Sequence, residues 1–376
     1  MSAKSNFKKS VLELSPYNVS GHPARVKLNQ NESPYDIPAE LKRNIIEEFL
    51  KISWNRYPDV FSTALPKKFS VLYDLPEQSF IVANGSNELI YTVEMSIVNE
   101  GTGVLIPQPT FYLFEKVAAI LEGKISTVNA KPALTFDENG ILERARRLER
   151  GLVVISSPNN PTGRSATREF IVELLKSTNA IVLVDEAYIE FSEQPSSIDL
   201  TKDHKNLVVL RTFSKAFSLA GLRIGYLVAN PDTAFQILKV KIPFTVNPLS
   251  EFTALKLLEY KSLFDERVSL LKSQKLEMVD AMRKIEQVNV VDSDSNFFLF
   301  STSRPAKTVF EELLDRHSVL VRDVSSYPLL EKYLRVNVGS KEECQYFVES
   351  LRTCLGVGES PISRTQNSKA QIKTQI

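Results

Sequence analysis

Cysteine and histidine are scarce in this sequence of 376 residues, which contains two cysteines and three histidines. Cys344 and Cys354 do not form a Cys-x-x-Cys pair, which excludes a disulfide-stapled scaffold and a zinc site with thiolate ligands. His22, His204 and His317 lie far apart, which argues against a histidine metal site. The scarcity of both residue types leads us to expect no bound metal. Because so few thiols are typical of a reducing compartment, we also expect a cytoplasmic location.

An excess of charge of one sign and long hydrophobic runs are also missing. The 46 Lys and Arg residues against 45 Asp and Glu residues give a net charge of +1, without the basic cluster of a nucleic-acid-binding protein. The longest apolar stretches, such as residues 152–155 and 180–184, are far shorter than the ~18 residues of a membrane span. The N-terminus has lysines but lacks the continuous apolar segment of a secretory signal. These features predict a globular enzyme or binding protein that has neither a nucleic acid nor a membrane as partner.

The sequence does contain an alternation of short apolar runs and amphipathic helical patterns. Seven runs are predicted to be strands: residues 80–83, 104–106, 124–128, 152–156, 181–185, 207–211 and 224–228. Several are apolar at consecutive positions, which is typical of strands covered on both faces in a mostly parallel sheet. Residues 168–176 predict an amphipathic helix with Ser165 or Thr167 as its N-cap. The predicted fold class is α/β, with helices on both faces of one sheet.

The pattern of predicted helices and strands changes after about residue 256. A long charged helical stretch at residues 265–285 and a helical pattern at 306–316 alternate with predicted strands at 296–300, 319–322 and 334–338. The polar segment after residue 356 lacks an apolar face and is predicted to be a mobile tail. These patterns divide the chain into four parts: an N-terminal arm (1–35), a large domain (36–255), a smaller α/β domain (256–356) and the tail (357–376).

The most informative segment is Arg-Thr-Phe-Ser-Lys-Ala-Phe-Ser-Leu-Ala-Gly-Leu-Arg at residues 211–223. Lys215 follows an apolar strand and is surrounded by small and apolar residues. Such a setting lowers the pKa of a lysine amine and frees its lone pair for nucleophilic attack. Ser214 and Arg223 flank this lysine and could together bind a phosphate. For one lysine alone, a purely structural place at a strand end is the more common interpretation.

Polar side chains also follow two other buried strands. Asp185 ends the run Ile-Val-Leu-Val-Asp and Tyr188 comes three residues later, at the edge where open α/β sheets bind ligands. Asn160 lies in the turn Ser-Pro-Asn-Asn-Pro-Thr-Gly, after the neighbouring strand. Taken singly, Asp185 could equally cap a helix and Asn160 could belong to an ordinary turn.

A fourth segment, Asn-Gly-Ser-Asn-Glu at residues 84–88, joins a strand to a helix. Gly85 permits a tight turn, and the amides that follow can point at an anion with the help of the helix dipole. The sequence contains no GxxxxGK[ST] and no GxGxxG between a strand and a helix, which disfavours a P-loop protein and a dinucleotide dehydrogenase.

The four segments together supply a lysine amine, an acid, an Asn and Tyr pair and an anion site. This set matches the requirements of pyridoxal 5'-phosphate, whose aldehyde forms a Schiff base with lysine and whose ring nitrogen needs a carboxylate partner. We therefore expect pyridoxal 5'-phosphate as the cofactor.

Several motifs resemble those of the fold-type-I pyridoxal-phosphate-dependent aminotransferases of class I/II, and most closely the histidinol-phosphate subgroup. They are SPNNPTG, VDEAY, RTFSKAFSLAGLRIGY and LRVNVG, together with LNQNESPY, NRYPD, PTFYLFE and PFTVNPLS. The resemblance runs from about Ser15 to Gly356. It implies a large domain with a mostly parallel seven-stranded sheet, and a smaller α/β domain built from the C-terminal part and the N-terminal segment.

The resemblance implies a role for each matching residue around the cofactor. Lys215 would form the Schiff base and move the proton between the substrate α-carbon and the cofactor, while Asp185 would hold the ring nitrogen protonated. Asn160 and Tyr188 would bind the ring oxygen, and Phe111 would stack on the ring. The cofactor phosphate would be held by four groups: Ser86, Asn87, Ser214 and Arg223. Asn87 departs from the usual aspartate of the family.

The resemblance also implies partners. Tyr57 would reach the cofactor phosphate of the neighbouring subunit, which implies a homodimer. Arg335 would bind the anionic end of the substrate, Arg322 and Tyr17 would contact a substrate phosphate, and Asn31 would belong to the substrate pocket. The implied small-molecule substrates are a phosphorylated amino alcohol and glutamate or 2-oxoglutarate.

The leading hypothesis is amino transfer between L-histidinol phosphate and 2-oxoglutarate, in histidine biosynthesis. The alternatives are an aromatic amino-acid aminotransferase and a decarboxylase of a phosphorylated amino acid on the same scaffold. An alternative from another class is a catalytically silent binding protein. The intact Lys215, Asp185 and Arg223 argue against the silent protein.

Overall fold

The computed structural model describes residues 6–16 and 21–357. Its strands are β1 (Val26–Lys27), β2 (Phe80–Ala83), β3 (Gly103–Gln108), β4 (Lys124–Asn129), β5 (Leu152–Ser156), β6 (Ile181–Asp185), β7 (Leu207–Thr212), β8 (Gly225–Ala229), β9 (Val288–Val290), β10 (Phe297–Thr302), β11 (Val319–Leu320), β12 (Arg322–Asp323) and β13 (Tyr333–Asn337). Its α-helices are α1 (Lys9–Leu12), α2 (Ala39–Phe49), α3 (Ala64–Tyr73), α4 (Ser86–Ile97), α5 (Tyr112–Ile120), α6 (Glu138–Ala145), α7 (Arg168–Ser177), α8 (Pro231–Leu238), α9 (Pro248–Leu257), α10 (Lys261–Arg283), α11 (Ala306–His317) and α12 (Lys341–Cys354).

The large sheet has seven strands in the order β2-β8-β7-β6-β5-β3-β4. Only β8 runs against the others, since it pairs antiparallel with both β2 and β7. All seven strands predicted from the sequence are therefore confirmed, with ends that differ by one or two residues. The predicted α/β class and the mostly parallel sheet are confirmed as well.

Both faces of this sheet are buried, because successive side chains of the central strands point to opposite sides. Val153 and Val182 belong to a core that includes residues of α2, α3, α7 and α9. Val154 and Leu183, their neighbours along the chain, belong to a second core with α4, α5 and α8. Helix α7 begins at its predicted position, and its N-cap is Thr167, whose hydroxyl accepts a hydrogen bond from the Phe170 amide.

The C-terminal part forms a second sheet in the order β12-β13-β10-β9. It shares a core with residues of α10, α11 and α12. The N-terminal strand β1 pairs parallel with β11, so the N-terminal segment packs with the C-terminal part of the chain. The domain boundaries at residues 35, 255 and 356 stay predictions.

Tyr17 and residues 358–376 of the predicted tail lie outside the described residues. In residues 6–16 and 21–357, no helix is long and apolar enough to cross a membrane. Cys344 and Cys354 are both buried free thiols.

Candidate active site

The carboxyl ends of the central strands open into a cleft with a volume of about 470 Å³. The register places Ser156 of β5 beside Asp185 of β6, and Asp185 beside Leu210 of β7. The segments that follow these strands therefore meet at one edge of the sheet. Twelve residues predicted for the site line this cleft: Asn31, Ser86, Asn87, Phe111, Asn160, Asp185, Tyr188, Ser214, Lys215, Arg223, Arg322 and Arg335.

Asp185 and Lys215 are the two ionisable groups on the floor of the cleft whose pKa values burial changes strongly. Burial raises the pKa of the Asp185 carboxyl to about 7, although the Ala187 amide donates a hydrogen bond of 3.1 Å to it. Burial, together with a smaller contribution from the Arg335 guanidinium, lowers the pKa of the Lys215 amine to about 7. A substantial fraction of this amine is therefore neutral at physiological pH, as a nucleophile requires.

Tyr188 lies beside the amine. The Lys215 Nζ atom is 5.7 Å from the centre of the Tyr188 ring and donates a hydrogen bond of 2.9 Å to the Gln30 carbonyl. The Asn31 side-chain amide donates to the Tyr188 hydroxyl at 3.0 Å. The Tyr188 ring also packs edge-on against Phe297 of β10. The N-terminal segment and the second sheet thus both help to fix the position of Tyr188.

The turn between β2 and α4 forms a cradle for an anion. Gly85 has φ 80°, and a Cβ atom there would lie 2.4 Å from the Arg223 guanidinium. A Cβ atom on Gly225 would lie 2.7 Å from the Ser86 amide nitrogen. These two glycines let Arg223 and the N-terminus of α4 approach each other, where the helix dipole favours a phosphate.

Arg223 and Ser214 complete this cradle. Arg223 has a left-handed backbone with φ 53°, which is uncommon for a residue with a side chain and is often found at functional sites. Its Nη1 atom lies 3.3 Å from the Ser214 hydroxyl, to which it donates. The Thr212 hydroxyl is 3.0 Å from the same Ser214 oxygen. Two hydroxyls and a guanidinium therefore lie close together beside the helix terminus.

The second sheet contributes two arginines to the cleft. Arg322 of β12 and Arg335 of β13 are directly paired in the antiparallel register, which brings their side chains to one face. Arg335 donates a hydrogen bond to the Asn160 side chain and another, of 2.9 Å, to the Asn29 carbonyl. Its guanidinium also lies over the Phe297 ring, 5.1 Å from the centre. These contacts hold a forked, permanently charged donor in the cleft.

These residues fit pyridoxal phosphate. The cleft contains an amine of lowered pKa, a buried carboxyl for the ring nitrogen, an aromatic side chain at Phe111 and a glycine-lined cradle for the phosphate. Each of these groups comes from a different element, and the sheet register brings them to one place.

Of the predicted residues that the structure describes, Tyr57 does not line the cleft of this chain. Tyr57 is 84% exposed, and its ring packs 4.9 Å from that of Phe244. Tyr17 lies outside the described residues. The cleft also contains residues that the sequence did not single out, among them Asn29, Gln30, Thr212 and Tyr327. The three consecutive amide side chains at residues 29–31, within a buried segment, could have indicated the first two.

The comparison with known proteins agrees with this geometry. A curated histidinol-phosphate aminotransferase from Chlorobaculum parvum is 43% identical over 334 residues, which are 89% of this chain and 94% of the relative.

Among solved structures, histidinol-phosphate aminotransferase from Sinorhizobium meliloti in complex with pyridoxal-5'-phosphate has a TM-score of 0.84. It is 21% identical, and the match covers 93% of this chain and 98% of the other. L-threonine-O-3-phosphate decarboxylase from Porphyromonas gingivalis has a TM-score of 0.77 at 22% identity, over 88% and 99% of the two chains. Two different activities thus share this fold, and the fold alone does not select between them.

The family described as "Aminotransferase class I and II" matches residues 24–351. The match includes every described residue that the sequence placed in the cleft. The chain belongs to the class I and II aminotransferase family.

Proposed function

We propose that this chain is a pyridoxal-phosphate-dependent transaminase that moves an amino group between L-histidinol phosphate and 2-oxoglutarate. The observation that carries the proposal is that one cleft contains the Lys215 amine and two separate groups of anion-binding residues. Arg223 and Ser214 form the first at the N-terminus of α4, and Arg322 and Arg335 form the second on the small sheet. A phosphorylated cofactor and a phosphorylated substrate each require such a group. The curated relatives at about 40% identity carry the same activity in their names.

Each group in the cleft has a task in this reaction. Pyridoxal phosphate, when bound, supplies an aldehyde for the amine and an electron-withdrawing ring that stabilises negative charge on the substrate carbon. Asp185 would bind the ring nitrogen and keep its proton in place, since a carboxylate in a buried site stabilises an adjacent positive charge strongly. Asn160 and Tyr188 would bind the ring oxygen, and Phe111 would cover the ring. Lys215 would take the proton from the substrate α-carbon, for which an amine of pKa about 7 is well suited.

Substrate binding is assigned to the two arginines. Arg335 binds the anionic end of either substrate, because a planar guanidinium pairs in bidentate fashion with a carboxylate or a phosphate. Arg322 binds the phosphate of histidinol phosphate. Asn31 contributes through its hydrogen bond to Tyr188, and Tyr17 is proposed as a further phosphate contact.

A substrate panel tests this function. Glutamate-linked amino transfer is measured with histidinol phosphate, phenylalanine, tyrosine and a phosphorylated amino acid, and release of carbon dioxide is followed in parallel. We expect the highest kcat/KM for histidinol phosphate. A preference for phenylalanine would make the chain an aromatic aminotransferase, and carbon dioxide release without amino transfer would make it a decarboxylase. No turnover, together with no cofactor binding, would indicate a silent binding protein.

We further propose that the enzyme works as a homodimer in which Tyr57 reaches the cofactor phosphate of the partner. The Tyr57 ring packs against that of Phe244, whose backbone amide donates a hydrogen bond to the Val60 carbonyl, and the side chains of all three residues are exposed. Such a patch favours an interface. Mixing inactive Lys215→Ala protein with a strongly impaired Tyr57→Ala protein should restore part of the activity through hybrid dimers. A monomer with full turnover would contradict the proposal.

We also propose a cytoplasmic location. The buried free thiols of Cys344 and Cys354 favour it, because a reducing compartment keeps thiols in this state. The distribution of the protein after cell fractionation tests this location.

A further inference from the structure

Glu88, in the first turn of α4, joins the phosphate cradle to the loop of residues 241–245, which connects α8 to α9. One carboxylate oxygen accepts a hydrogen bond of 2.7 Å from the backbone amide of Asn84. The other oxygen accepts a hydrogen bond of 2.8 Å from the Thr245 hydroxyl and lies 3.3 Å from the Lys241 ammonium. Glu88 does not line the cleft itself. It therefore acts on the cleft only through the backbone that it binds.

The Asn84 amide is a sensitive place for such a contact. This amide lies at the start of the turn that contains Gly85. The space there is so small that a Cβ atom on Gly85 would lie 2.4 Å from the Arg223 guanidinium. A rotation of this peptide would move the amides of Ser86 and Asn87 relative to Arg223. The carboxylate of Glu88 opposes that rotation with a charge-assisted hydrogen bond, which is stronger than a neutral one.

The other end of the contact is well anchored. The Lys241 side chain is 1% exposed and that of Glu88 is 14% exposed, so water screens their attraction little. Lys241 also donates to the Thr245 hydroxyl at 2.7 Å and to the Ile242 carbonyl at 3.1 Å. Burial lowers the pKa of Lys241, whereas Glu88 raises it. Two of the groups that contact the Glu88 carboxylate, the Lys241 ammonium and the Thr245 hydroxyl, thus belong to the same short loop, residues 241–245.

We propose that Glu88 is a positioning residue for the cofactor phosphate, which holds the Asn84 turn in place and is itself anchored by Lys241 and Thr245. This inference rests on the proposed function, because it assumes that the phosphate of pyridoxal phosphate binds in the cradle. It adds a residue outside the cleft to those that determine how tightly the phosphate is held.

The test compares binding of pyridoxal phosphate and of pyridoxal, which lacks the phosphate, to the cofactor-free protein by equilibrium dialysis. A double variant, Glu88→Leu with Lys241→Met, removes the contact without leaving a buried ion unpaired. We expect its affinity for pyridoxal phosphate to fall about tenfold, the usual effect of losing a hydrogen bond to a charged group, while its affinity for pyridoxal changes less than about twofold. The variant Glu88→Gln with Lys241→Met keeps an oxygen for the Asn84 amide and should recover most of the phosphate-dependent affinity.

A third variant tests the anchor. Thr245→Val removes two hydrogen bonds, the one donated to Glu88 and the one accepted from Lys241, at a residue that does not line the cleft. It should lower the ratio of the affinity for pyridoxal phosphate to the affinity for pyridoxal by a factor of about three. If the double variant Glu88→Leu with Lys241→Met does not fold, the affinity ratio measured for Thr245→Val tests the inference in its place. Glu173→Gln with Arg146→Met, an exposed ion pair elsewhere, is the matched control and should leave the ratio unchanged.

Two outcomes would overturn the inference. The first is an unchanged ratio in every folded variant of Glu88 or Thr245. The second is an equal loss of affinity for both ligands, which would make Glu88 merely a stabilising residue of the fold. Failure of the assumed cofactor binding is distinguishable, because the wild-type protein itself would then show no preference for pyridoxal phosphate over pyridoxal. Failure of the proposed substrate preference appears only in the substrate panel and leaves this comparison of the two ligands unaffected.

Discussion

Burial raises the pKa of two carboxyl groups by different amounts. One lies at the edge of the large sheet, and the other lies on a helix that covers this sheet. Asp185 lies at the end of β6 in the cleft, where burial raises its pKa to about 7 and the Ala187 amide binds it. Glu94 lies on α4, where it is 0% exposed and burial raises its pKa to about 9. Within the described residues, neither carboxyl oxygen of Glu94 has a hydrogen-bond partner.

The difference shows that a raised pKa by itself does not identify a catalytic residue. Glu94 has the larger shift, yet no charged group contributes to it, and it does not line the cleft. Asp185 has an amine in the same cleft, whose charge affects its pKa. The position of Asp185 at a strand end and its charged neighbour are the features that favour Asp185 over Glu94 as the functional acid, whereas burial of a carboxyl without a partner destabilises the fold.

The largest expected effect comes from Asp185→Asn. We expect kcat to fall roughly 10²–10³-fold, because a neutral amide cannot stabilise a protonated ring nitrogen in a buried site. Steady-state kinetics at saturating cofactor measure this effect. Glu94→Leu is the control and should keep nearly full activity. Equal losses of kcat in the two variants would show that Asp185 and Glu94 do not differ in function.

The amine beside Asp185 provides the second test. In cofactor-free protein, the rate at which a small amine-reactive reagent labels Lys215 should rise about tenfold from pH 6 to pH 8 and then level off, since its pKa is about 7. An ordinary lysine continues to gain reactivity up to about pH 10. Peptide mapping measures the labelling of Lys215 at each pH, and the labelled peptide must disappear in Lys215→Arg. A rate that still rises steeply above pH 9 would contradict the lowered pKa.

The pH dependence of the free energy of unfolding should show how much the burial of Glu94 destabilises the fold. Its pKa is higher in the folded protein than in the unfolded chain, so the folded state binds the extra proton and loses stability as the pH rises from about 4.5 to about 9. At pH 7, Glu94→Leu should therefore raise the free energy of unfolding by about 3 kcal/mol. Urea unfolding at pH 5.5 and pH 8 should show a larger gain at the higher pH. A gain that does not depend on pH would mean that Glu94 is not protonated on folding.

The smallest effect is expected for an exposed carboxylate. Glu173 pairs with Arg146, and both side chains are more than half exposed. Glu173→Gln should change the free energy of unfolding by less than about 0.5 kcal/mol, because water screens such pairs. The same urea titrations measure it. A change as large as that of Glu94→Leu would show that burial is not what separates these acids.

Much of the fold and of the site could be predicted from the sequence alone. All seven strands of the large sheet could be predicted, the central ones because a strand buried on both faces needs consecutive apolar residues. Asp185, Asn160 and Lys215 could be predicted to meet, since polar residues directly after parallel strands share one edge of the sheet. Helix α7 followed from local rules in the same way, and Thr167 was one of its two predicted N-caps.

Other features were decided only by the tertiary structure. The pairing of Arg322 with Arg335 depends on a register between strands of the second sheet, and the contact of Lys215 with the Gln30 carbonyl joins residues 185 positions apart. Burial of Glu94 and the contact of Glu88 with Lys241 have the same origin. Local sequence determines which residues can form a strand, a helix or a turn, because those preferences involve near neighbours. Which carboxyl group gains a partner and which is left without one depends on the packing of distant segments, and no local pattern encodes it.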